Sequence, residues 1–453
     1  MANEQKVKFE ENQNLEFDIT RKRLYDIVVL GASGYTGKYV VRVVAHLSKK
    51  YNFSWAVAGR NKNLLQSVLN SIYESIDGYK DKIIDIIPVD LKDFKCVQLM
   101  TKITSVVINC VGPYYLYGEI VVKSCVSQGT HYVDVTGESL FMDKMAYMYN
   151  NEAEKNGSII VNALGMESVP ADLGVDYLFQ KFNGNLTSID IYMKLGSKSS
   201  KFNTDVKMHD GTWKSIIYHL ATGNERLRIR NLLDKSIGMT TRPKPNISKI
   251  LHKQEISKRS QWCLPMPEPD QAVIARSLNY SKIVEKRTIN CEVRNYIVIG
   301  SLIMAVVNLF LCVLLSCLVL IPPLKTLFVN FPKIFSLGIA SEQGPSEKNN
   351  ENSFVSFTFI GKGDISIKNT NKQNDSTNTI ILKIKASNPG YGFASKAVVL
   401  GAVTLLQDNI PKGGVLTPAS AFKNTNYLKR LIEHEAMDIE LLSNSINLKN
   451  HTD

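Results

Sequence analysis

The sequence of 453 residues has few cysteines: seven, an odd number, with no regular spacing. A disulfide framework needs paired cysteines, so this content excludes a disulfide-stabilised secreted scaffold and favours a reducing, cytosolic compartment. No group of cysteines and histidines has the spacing of metal ligands, and we predict no metal site. Residues 1–6 lack an apolar signal core, so we expect a protein that is not secreted, with a disordered stretch at 1–20.

Acidic side chains are in deficit, and the formal net charge is +12. Residues 201–260 hold thirteen basic side chains against five acidic ones. They could form a solvated surface, or a face for an anionic membrane, where each basic side chain contributes about 1 kcal/mol. No aromatic-interleaved motif or familiar nucleic-acid module is present, so we predict no nucleic-acid partner. The basic residues are Lys201, Lys207, Lys214, Arg226, Arg228, Arg230, Lys235, Arg242, Lys244, Lys249, Lys253, Lys258 and Arg259.

Charge is absent altogether from residues 296–321, a run of 26 residues. About 20 apolar residues suffice to cross a hydrocarbon core, so this run is a candidate membrane segment. The alternative is a helix buried in the protein or in a dimer interface. Such a helix normally shows a polar stripe, whereas Asn308 is the one strongly polar side chain in this run.

What the sequence does have is a glycine-rich turn, Gly31-Ala-Ser-Gly-Tyr-Thr-Gly37, directly after the apolar run 25–30. A buried strand, a turn of this kind and a helix together form the phosphate-binding end of a dinucleotide fold. The glycines allow a tight turn and a close approach of the pyrophosphate, and the helix points its first amides at the phosphates. The predicted cofactor contacts in this turn are Gly31, Ser33, Gly34, Tyr35, Thr36 and Gly37.

The end of the second predicted strand indicates which dinucleotide binds. An NAD-selective site usually has an acidic residue here, whereas this sequence has Arg60, which suits a 2′-phosphate. We therefore predict NADP(H) in preference to NAD(H), with a solvated arginine at a helix start as the alternative. Asp90 is a candidate for the adenine side, and Val111 and Gly112 for the nicotinamide end.

The first part of the sequence alternates strands with helices, which predicts a doubly wound parallel sheet with its ligand crevice at the carboxyl ends of the strands. A second, mixed sheet is predicted from strands on both sides of the apolar run, at 187–195, 355–360 and 379–386. We further predict a linker at 341–352, a loop at 361–376 and helices at 393–408 and 427–442. The strands of the first sheet are predicted at 25–30, 54–60, 83–91, 105–111, 131–135 and 158–163, and its helices at about 38–48, 61–72, 94–103, 119–128 and 140–156.

Six motifs occur in a fixed order: Gly31-Ala-Ser-Gly-Tyr-Thr-Gly37, Ala56-Val-Ala-Gly-Arg60, Asn109-Cys-Val-Gly-Pro-Tyr114, Asp134-Val-Thr-Gly-Glu138, Pro170-Ala-Asp-Leu-Gly174 and His209-Asp-Gly-Thr-Trp213. Together they resemble the saccharopine dehydrogenase-like oxidoreductase family, from about residue 24 to the C-terminus. The resemblance implies an N-terminal Rossmann domain, a second α/β substrate domain and an NAD(P)-type oxidoreductase. It does not imply saccharopine as the substrate, because the family includes bacterial trans-acting enoyl reductases that act on polyketide-type lipids.

The expected fold is therefore α/β, with a Rossmann domain at 21–168 and a mixed-sheet substrate domain at 169–295 and 346–453. The apolar segment 296–339 interrupts the second domain. A single membrane crossing would separate the two halves of that domain, and Pro322-Pro323 breaks the helix. We therefore predict a monotopic insertion that enters and leaves from the cytosolic face of a membrane, such as the endoplasmic reticulum, or of a lipid droplet.

Residues that would supply a proton during hydride transfer are harder to predict. Tyr114 or Tyr117 could donate one beside the nicotinamide, or could pack in the loop. His131 is a further candidate, with a surface or hydrogen-bonded structural histidine as the alternative. Asp134 and Glu138 flank a strand end and could hold ribose or substrate, or serve as helix caps and turn residues.

The segment 209–213 begins a predicted helix that runs to about residue 222. By the resemblance it faces the interdomain cleft, which makes Asp210 a candidate substrate contact. Asp210 and Thr212 could equally be N-caps.

Cys110 raises the possibility of a cysteine nucleophile, because a similar glycine-rich turn occurs in N-acetyl-glutamyl-phosphate reductases. Such a thiol must be activated by a base and placed over the nicotinamide. The cysteine loop expected later in such a sequence is absent, and a small core side chain is the favoured interpretation.

Three classes of function remain. The first is an NADPH-dependent reductase of a hydrophobic or lipid-type carbonyl or enoyl compound. The second is an amino-acid-type dehydrogenase that resembles true saccharopine reductases. The third is a non-enzymatic scaffold that binds a dinucleotide at a lipid surface. The expected partners are the dinucleotide, a hydrophobic substrate and a membrane or lipid-droplet surface. A second copy of the chain in a homodimer is an alternative that stays open.

Overall fold

The structure is a computed structural model, and the residues it describes cover most of the chain. Three sets of predicted features lie outside these residues: the stretch 1–20, most of the loop 361–376 and six of the thirteen basic side chains, Lys201, Arg242, Lys244, Lys249, Lys258 and Arg259. The described residues are 23–79, 82–198, 207–239, 250–254, 261–266, 268–365, 378–410 and 412–442.

Strands and helices alternate strictly as far as residue 181, which is the order a doubly wound fold requires. The strands are β1 (Tyr25–Leu30), β2 (Trp55–Gly59), β3 (Ile86–Pro88), β4 (Thr104–Asn109), β5 (His131–Asp134), β6 (Ile159–Val161), β7 (Gly184–Ser197), β8 (Met208–His209), β9 (His252–Gln254), β10 (Gln261–Pro265), β11 (Glu292–Gly300), β12 (Ala340–Ser341), β13 (Ser353–Ile365), β14 (Asn378–Ser387), β15 (Gly414–Leu416) and β16 (Asp438–Leu442). The helices are α1 (Tyr35–Tyr51), α2 (Lys62–Ser75), α3 (Phe94–Lys102), α4 (Tyr114–Ser127), α5 (Ser139–Asn156), α6 (Ser168–Lys181), α7 (Asp210–Ala221), α8 (Gly223–Ser236), α9 (Asp270–Ile283), α10 (Leu302–Leu318), α11 (Pro322–Asn330), α12 (Pro332–Phe335), α13 (Glu347–Asn352), α14 (Ala394–Gln407), α15 (Pro418–Phe422) and α16 (Tyr427–Glu433), with a π-helical turn at Pro389–Phe393.

The first sheet is parallel throughout, with seven strands in the order β15-β6-β5-β4-β1-β2-β3. Strand β1, in the interior of this sheet, is covered on both faces, and its Ile27, Val28 and Val29 have no exposed surface. The order in which the chain adds strands changes direction between β1 and β4: β2 and β3 follow β1 toward one edge, and β5 and β6 follow β4 toward the other. This change leaves a crevice at the carboxyl ends of β1 and β4. This confirms the predicted doubly wound parallel sheet.

Several elements of this first domain differ from the prediction. β3 and β6 have three residues each and are shorter than the strands predicted at 83–91 and 158–163. Helix α4 starts at Tyr114, five residues before the predicted start, so part of the predicted loop is helical. The seventh strand, β15, comes from the C-terminal region and was not predicted.

The second sheet is mixed, with the order β16-β14-β13-β7-β11-β10-β9. Strand β7 precedes the apolar segment, whereas β13 and β14 follow it, so the sheet is built from both sides of that segment as predicted; β7 also pairs in parallel with β11. The helix predicted at 427–442 is wrong in its second half, because α16 ends at Glu433 and β16 then pairs with β14. The linker predicted at 341–352 contains α13.

The two sheets share one hydrophobic core. Helix α14 follows β14 of the second sheet in the sequence but packs against α1 and β4 of the first. Strand β15 is held by α9, where Arg276 Nη2 donates to the Val415 carbonyl at 2.9 Å. The C-terminal part of the chain therefore completes the dinucleotide domain as well as the substrate domain.

The segment predicted at 296–339 begins inside the second sheet. Tyr296 and Val298 belong to β11 and are buried, so the start of the apolar run is a strand because its side chains pack in a core. The remainder, residues 301–339, is called the apolar hairpin below. It consists of α10, α11 and α12 and returns to the body at β12, which pairs with β8.

Two stretches of described residues have the length and hydropathy of a membrane span. One is Pro389–Gln407, which includes α14; 78% of its apolar window is buried, as in the core helix of a globular protein. The other is the pair α10 and α11, whose axes differ by 117° at the break between them. This bend corresponds to the break predicted at Pro322-Pro323.

Candidate functional site

The glycine-rich turn connects β1 to α1 at the crevice. Gly31 has φ +80°, and a Cβ there would lie 2.7 Å from Val111 Cγ2. At Gly37 a Cβ would lie 2.2 Å from the Gly31 carbonyl oxygen. Both positions therefore require glycine, the first for its backbone conformation and the second for the close contact of helix and turn.

The amino end of α1 is open to an anion. Its N-cap is Gly34, which provides no side-chain hydrogen bond, and its first turn contains no acidic residue. The unpaired amides of such a helix end, together with the helix dipole, bind phosphate groups. The turn therefore fits the pyrophosphate of a dinucleotide, and Ser33, Gly34 and Thr36 would contact it.

The other predicted cofactor residues lie at the same edge of the sheet. Arg60 and Asp90 follow the neighbouring strands β2 and β3, and both are exposed. Val111 and Gly112 follow β4, on the other side of β1. Their contacts with the cofactor, including that of Arg60 with a 2′-phosphate, stay predictions.

Tyr35, one of the predicted cofactor contacts, has its side chain packed among other aromatic rings. Its ring stacks on His209 at a centroid distance of 5.0 Å and meets Tyr391 edge-on at 4.6 Å. Its hydroxyl donates to the Pro345 carbonyl at 2.6 Å, and burial raises the pKa of this hydroxyl. An aromatic cluster joins the turn to the second domain; it consists of Tyr35, Tyr39, His209 and Tyr391. Because the Tyr35 side chain is used in this cluster, a contact of Tyr35 with a phosphate would be made by its backbone.

Two predicted proton donors have structural roles. The Tyr114 hydroxyl is buried and donates to the Asn109 carbonyl at 2.9 Å, and burial raises its pKa. His131 begins β5 and so lies at the amino edge of the sheet, opposite the crevice. Its Nδ1 accepts the Ile159 N–H at 3.0 Å, and burial lowers its pKa to about 4. Tyr117 is 44% exposed on the first turn of α4 and stays a predicted proton donor.

Asp134 stabilises the loop after β6. Its two carboxylate oxygens accept hydrogen bonds from Ala163 N, Thr136 N, Asn162 Nδ2 and the Tyr132 hydroxyl at 2.8–3.1 Å. Burial raises its pKa to about 6. With its acceptor sites used inside the protein, Asp134 acts as a turn residue, one of the two roles considered for it.

Glu138 is held at the amino end of α4. Oε1 accepts the Tyr114 N–H at 2.9 Å, and Oε2 accepts the Tyr115 N–H at 2.7 Å. The Ser215 hydroxyl, on α7, donates to Oε1 at 2.6 Å. Burial raises the pKa of Glu138. The carboxylate thus caps one helix and binds a second, next to the loop predicted to hold the nicotinamide.

Asp210 is engaged by a neighbour on its own helix. Lys214 Nζ lies 2.5 Å from its Oδ2. His209 Nδ1 is 3.0 Å from Oδ1 but accepts the Gly211 N–H at 3.1 Å, so the neutral ring has no proton to offer Asp210 at that nitrogen. Burial lowers the pKa of His209, which favours the neutral ring. His209, and neither Asp210 nor Thr212, is the N-cap of α7.

The remaining candidate, Cys110, has the environment of a core residue. Burial raises the pKa of its thiol to about 12, which disfavours the thiolate that a nucleophile needs. Within the described ranges, no group of three or more His, Cys, Asp or Glu side chains could hold a metal ion.

Two residues of the site were missed from the sequence. Tyr391 lies in the sequence Pro389-Gly-Tyr-Gly392, whose proline and glycines indicate a turn, so a signal existed although no role was assigned. Ser215 gave no signal, because a lone serine within a helix has no pattern that indicates a partner far away in the sequence.

The closeness of Gly37 to Gly31 gives a direct test of the turn. We expect Gly37→Ala to weaken NADPH binding at least about tenfold, equivalent to about 1.4 kcal/mol, because the added methyl group displaces the backbone that binds phosphate. Titration of NADPH, followed by reduced-nicotinamide fluorescence, measures the dissociation constant.

Gly223→Ala is the matched control, since a Cβ there has no heavy atom within 4 Å. Equal affinities of the Gly37 and Gly223 variants would contradict the assignment of the turn.

The comparisons with known proteins agree with this geometry. A family model described as the saccharopine dehydrogenase NADP binding domain matches residues 27–161. A Rattus norvegicus protein named saccharopine dehydrogenase-like oxidoreductase is 32% identical over 428 residues, covering 92% of this chain and 97% of the relative. A Caenorhabditis elegans protein named lipid droplet localized protein is 32% identical over 415 residues, covering 88% and 94%.

Among solved structures, apo saccharopine dehydrogenase (L-Glu forming) from Saccharomyces cerevisiae matches with a TM-score of 0.54 and 12% identity, covering 92% of this chain and 100% of that one. This likeness supports the fold. The sequence identity above 30% over nearly the whole length of the relative also shows the family of this chain. The chain belongs to the saccharopine dehydrogenase-like oxidoreductase family, carries its NADP-binding domain, and is an NAD(P)-dependent oxidoreductase.

Proposed function

We propose that the protein is an NADP(H)-dependent oxidoreductase that works at a lipid surface and transfers hydride to or from a hydrophobic carbonyl or enoyl compound. The observation that carries this proposal is the exposure of the apolar hairpin. Eighteen of its large apolar side chains are at least 36% exposed, including Ile303 at 76%, Phe310 at 64% and Leu337 at 87%. Soluble proteins rarely expose a continuous apolar surface of this size.

The course of the hairpin supports an in-plane contact with lipid. In α10, all of which the structure describes, Ala305 alone is buried. The far end of α10 returns to the body, where Leu315, Leu318 and Val319 pack on α7. The helix is about 26 Å long and has its two ends on the protein, so it lies along the surface. Such a helix can sink about 5–10 Å into a lipid interface.

Both ends of the hairpin join the second domain, one through β11 and the other through β12. This supports the predicted monotopic insertion from one side, on the cytosolic face of a membrane or on a lipid droplet. The lipid droplet location named for the Caenorhabditis elegans relative supports the same proposal.

A hydrophobic substrate suits the surroundings of the crevice. Tyr115, Leu116 and Tyr117 on the first turn of α4 and Ile216 on α7 are all exposed. Helix α7 also carries the hairpin, so a substrate dissolved in lipid would meet this apolar surface first. NADP(H), when bound, supplies or accepts the hydride, while the turn amides and Arg60 orient it and Tyr117 is the predicted proton donor.

The role of Arg60 is tested by its removal. In Arg60→Ala we expect NADPH to bind at least about tenfold more weakly while NADH binding changes less than twofold, because a charge-assisted contact with the 2′-phosphate contributes about 1.5–3 kcal/mol. Arg228→Ala, an exposed arginine on α8, is the control. A preference for NADPH that survives in Arg60→Ala would contradict this assignment.

Lipid association is tested with charges on the hairpin. We expect the triple variant Ile303→Asp, Phe310→Glu and Val313→Asp to float with phosphatidylcholine vesicles at least about tenfold less than wild type. Each charge opposes burial in hydrocarbon by up to about 2.5–3.5 kcal/mol.

The matched control places three acidic residues at exposed apolar positions elsewhere: Leu64→Glu, Ile83→Asp and Leu99→Glu. It has the same net charge as the hairpin variant and should float like wild type. Equal flotation of the two triple variants would contradict lipid contact through the hairpin.

Activity is tested by NADPH consumption in vesicles that contain an aldehyde, ketone or α,β-unsaturated lipid, with Gly37→Ala as the reference that has weakened NADPH binding. At an NADPH concentration near the wild-type dissociation constant, we expect the wild type to consume NADPH several times faster than this variant. Consumption only with small polar imino acids, or with an oxo compound and an amino acid together, would instead favour an amino-acid-type dehydrogenase. Tight NADPH binding without consumption of any substrate would favour the dinucleotide-binding scaffold.

A further inference from the structure

The geometry points to α7 as the connection between the apolar hairpin and the dinucleotide site, with Trp213 and Ser215 as its positioning residues. We propose that contact of the hairpin with lipid strengthens NADPH binding through this helix. The inference rests on the proposed lipid association and goes beyond it, because a hairpin that is only an anchor has no effect on the cofactor.

One face of α7 packs against the apolar hairpin. Trp213 is 9% exposed, and its Nε1–H donates to the Phe328 carbonyl at 2.9 Å. Trp213 and Ile217 pack with Val319 and Phe328 in one cluster. Because 213 and 217 are one helical turn apart, these side chains form a single stripe on the helix.

The opposite face of α7 contacts Glu138, which caps α4 beside the predicted nicotinamide loop. Ser215 lies about 200° around the helix from Trp213, and its hydroxyl donates to Glu138 Oε1 at 2.6 Å. Glu138 in turn accepts the first two amides of α4, Tyr114 N–H and Tyr115 N–H. A rotation or shift of α7 therefore moves the capping carboxylate of the helix that follows the predicted nicotinamide loop.

The beginning of α7 is joined to both regions. On the hairpin side, the last hairpin residue, Ile339, accepts the Met208 N–H at 2.9 Å, and β12 continues this pairing alongside β8. On the cofactor side, the His209 ring stacks on Tyr35 of the phosphate-binding turn. Five residues beyond the hairpin, a Cβ on Gly344 would lie only 2.6 Å from the Tyr35 ring.

These contacts give a physical reason for coupling. In water, the free energy falls when the exposed apolar hairpin collapses onto itself or onto the body. Such a collapse disturbs the packing of Trp213 and Ile217 against the hairpin. In lipid the same side chains are solvated, and the arrangement of α7 described here is stabilised. Since the coupling free energy is reciprocal, NADPH must also strengthen lipid binding by the same factor.

The test measures the NADPH dissociation constant of full-length protein, with and without phosphatidylcholine vesicles, by reduced-nicotinamide fluorescence. For wild type we expect NADPH to bind about fivefold or more tightly with vesicles, at the lower end of typical coupling between sites. In Trp213→Phe, which keeps an aromatic ring but loses the donor to Phe328, we expect a change within about twofold. Trp262→Phe, in β10, is the matched control and should keep the wild-type response.

A second variant removes the link on the cofactor side. Ser215→Ala should float with vesicles like wild type yet lose the response of NADPH binding, which an effect on folding or anchoring alone would not produce. Ser236→Ala, which removes a local hydrogen bond to the Leu233 carbonyl on α8, is its control and should keep the response.

The outcomes separate this inference from the proposed function. Wild-type protein that floats and binds NADPH with one affinity in both conditions overturns the coupling alone. A response that persists in both Trp213→Phe and Ser215→Ala overturns the route through α7. Wild-type protein that does not float overturns the lipid association and, with it, the coupling.

Discussion

The Glu138 carboxylate is the contact on which the arrangement of the crevice depends. Two backbone amides of α4 and the Ser215 hydroxyl of α7 converge on it. A buried carboxylate with three donors is stable, whereas the same groups without it would leave a helix end and a hydroxyl unsatisfied inside the protein. One side chain therefore fixes the start of α4, the position of α7 and the relation of the second domain to the nicotinamide end of the first sheet.

The features that were predictable from the sequence are those determined by neighbours in the chain. The run 25–30 and the glycines after it define a buried strand and a phosphate-binding turn without reference to the remainder of the fold. Features determined by distant partners were missed. β15 has three residues and exists because it pairs with β6, and β16 follows a helix-like pattern but pairs with β14.

In the candidate site, too, the features determined by neighbours in the chain were predictable, and those determined by distant partners were not. Arg60 and Asp90 were placed correctly at one edge because parallel strands end together. The environment of each side chain was not predictable: Tyr35 packs in the aromatic cluster, and Tyr114 packs in the core with its hydroxyl on the Asn109 carbonyl. For His131, the start of its strand already indicated the opposite edge, which agrees with the structural histidine considered as the alternative.

The split of the second sheet affects the order in which the protein forms. Its central strand β7 pairs with β11, made before the apolar hairpin, and with β13, made after it. On the ribosome the hairpin emerges while β7 still lacks one neighbour, so the apolar segment is exposed before the domain that carries it can close. Nascent chains therefore have an interval in which the hairpin is exposed and the sheet is not yet closed, so another apolar surface or a chaperone can contact the hairpin before the domain is complete.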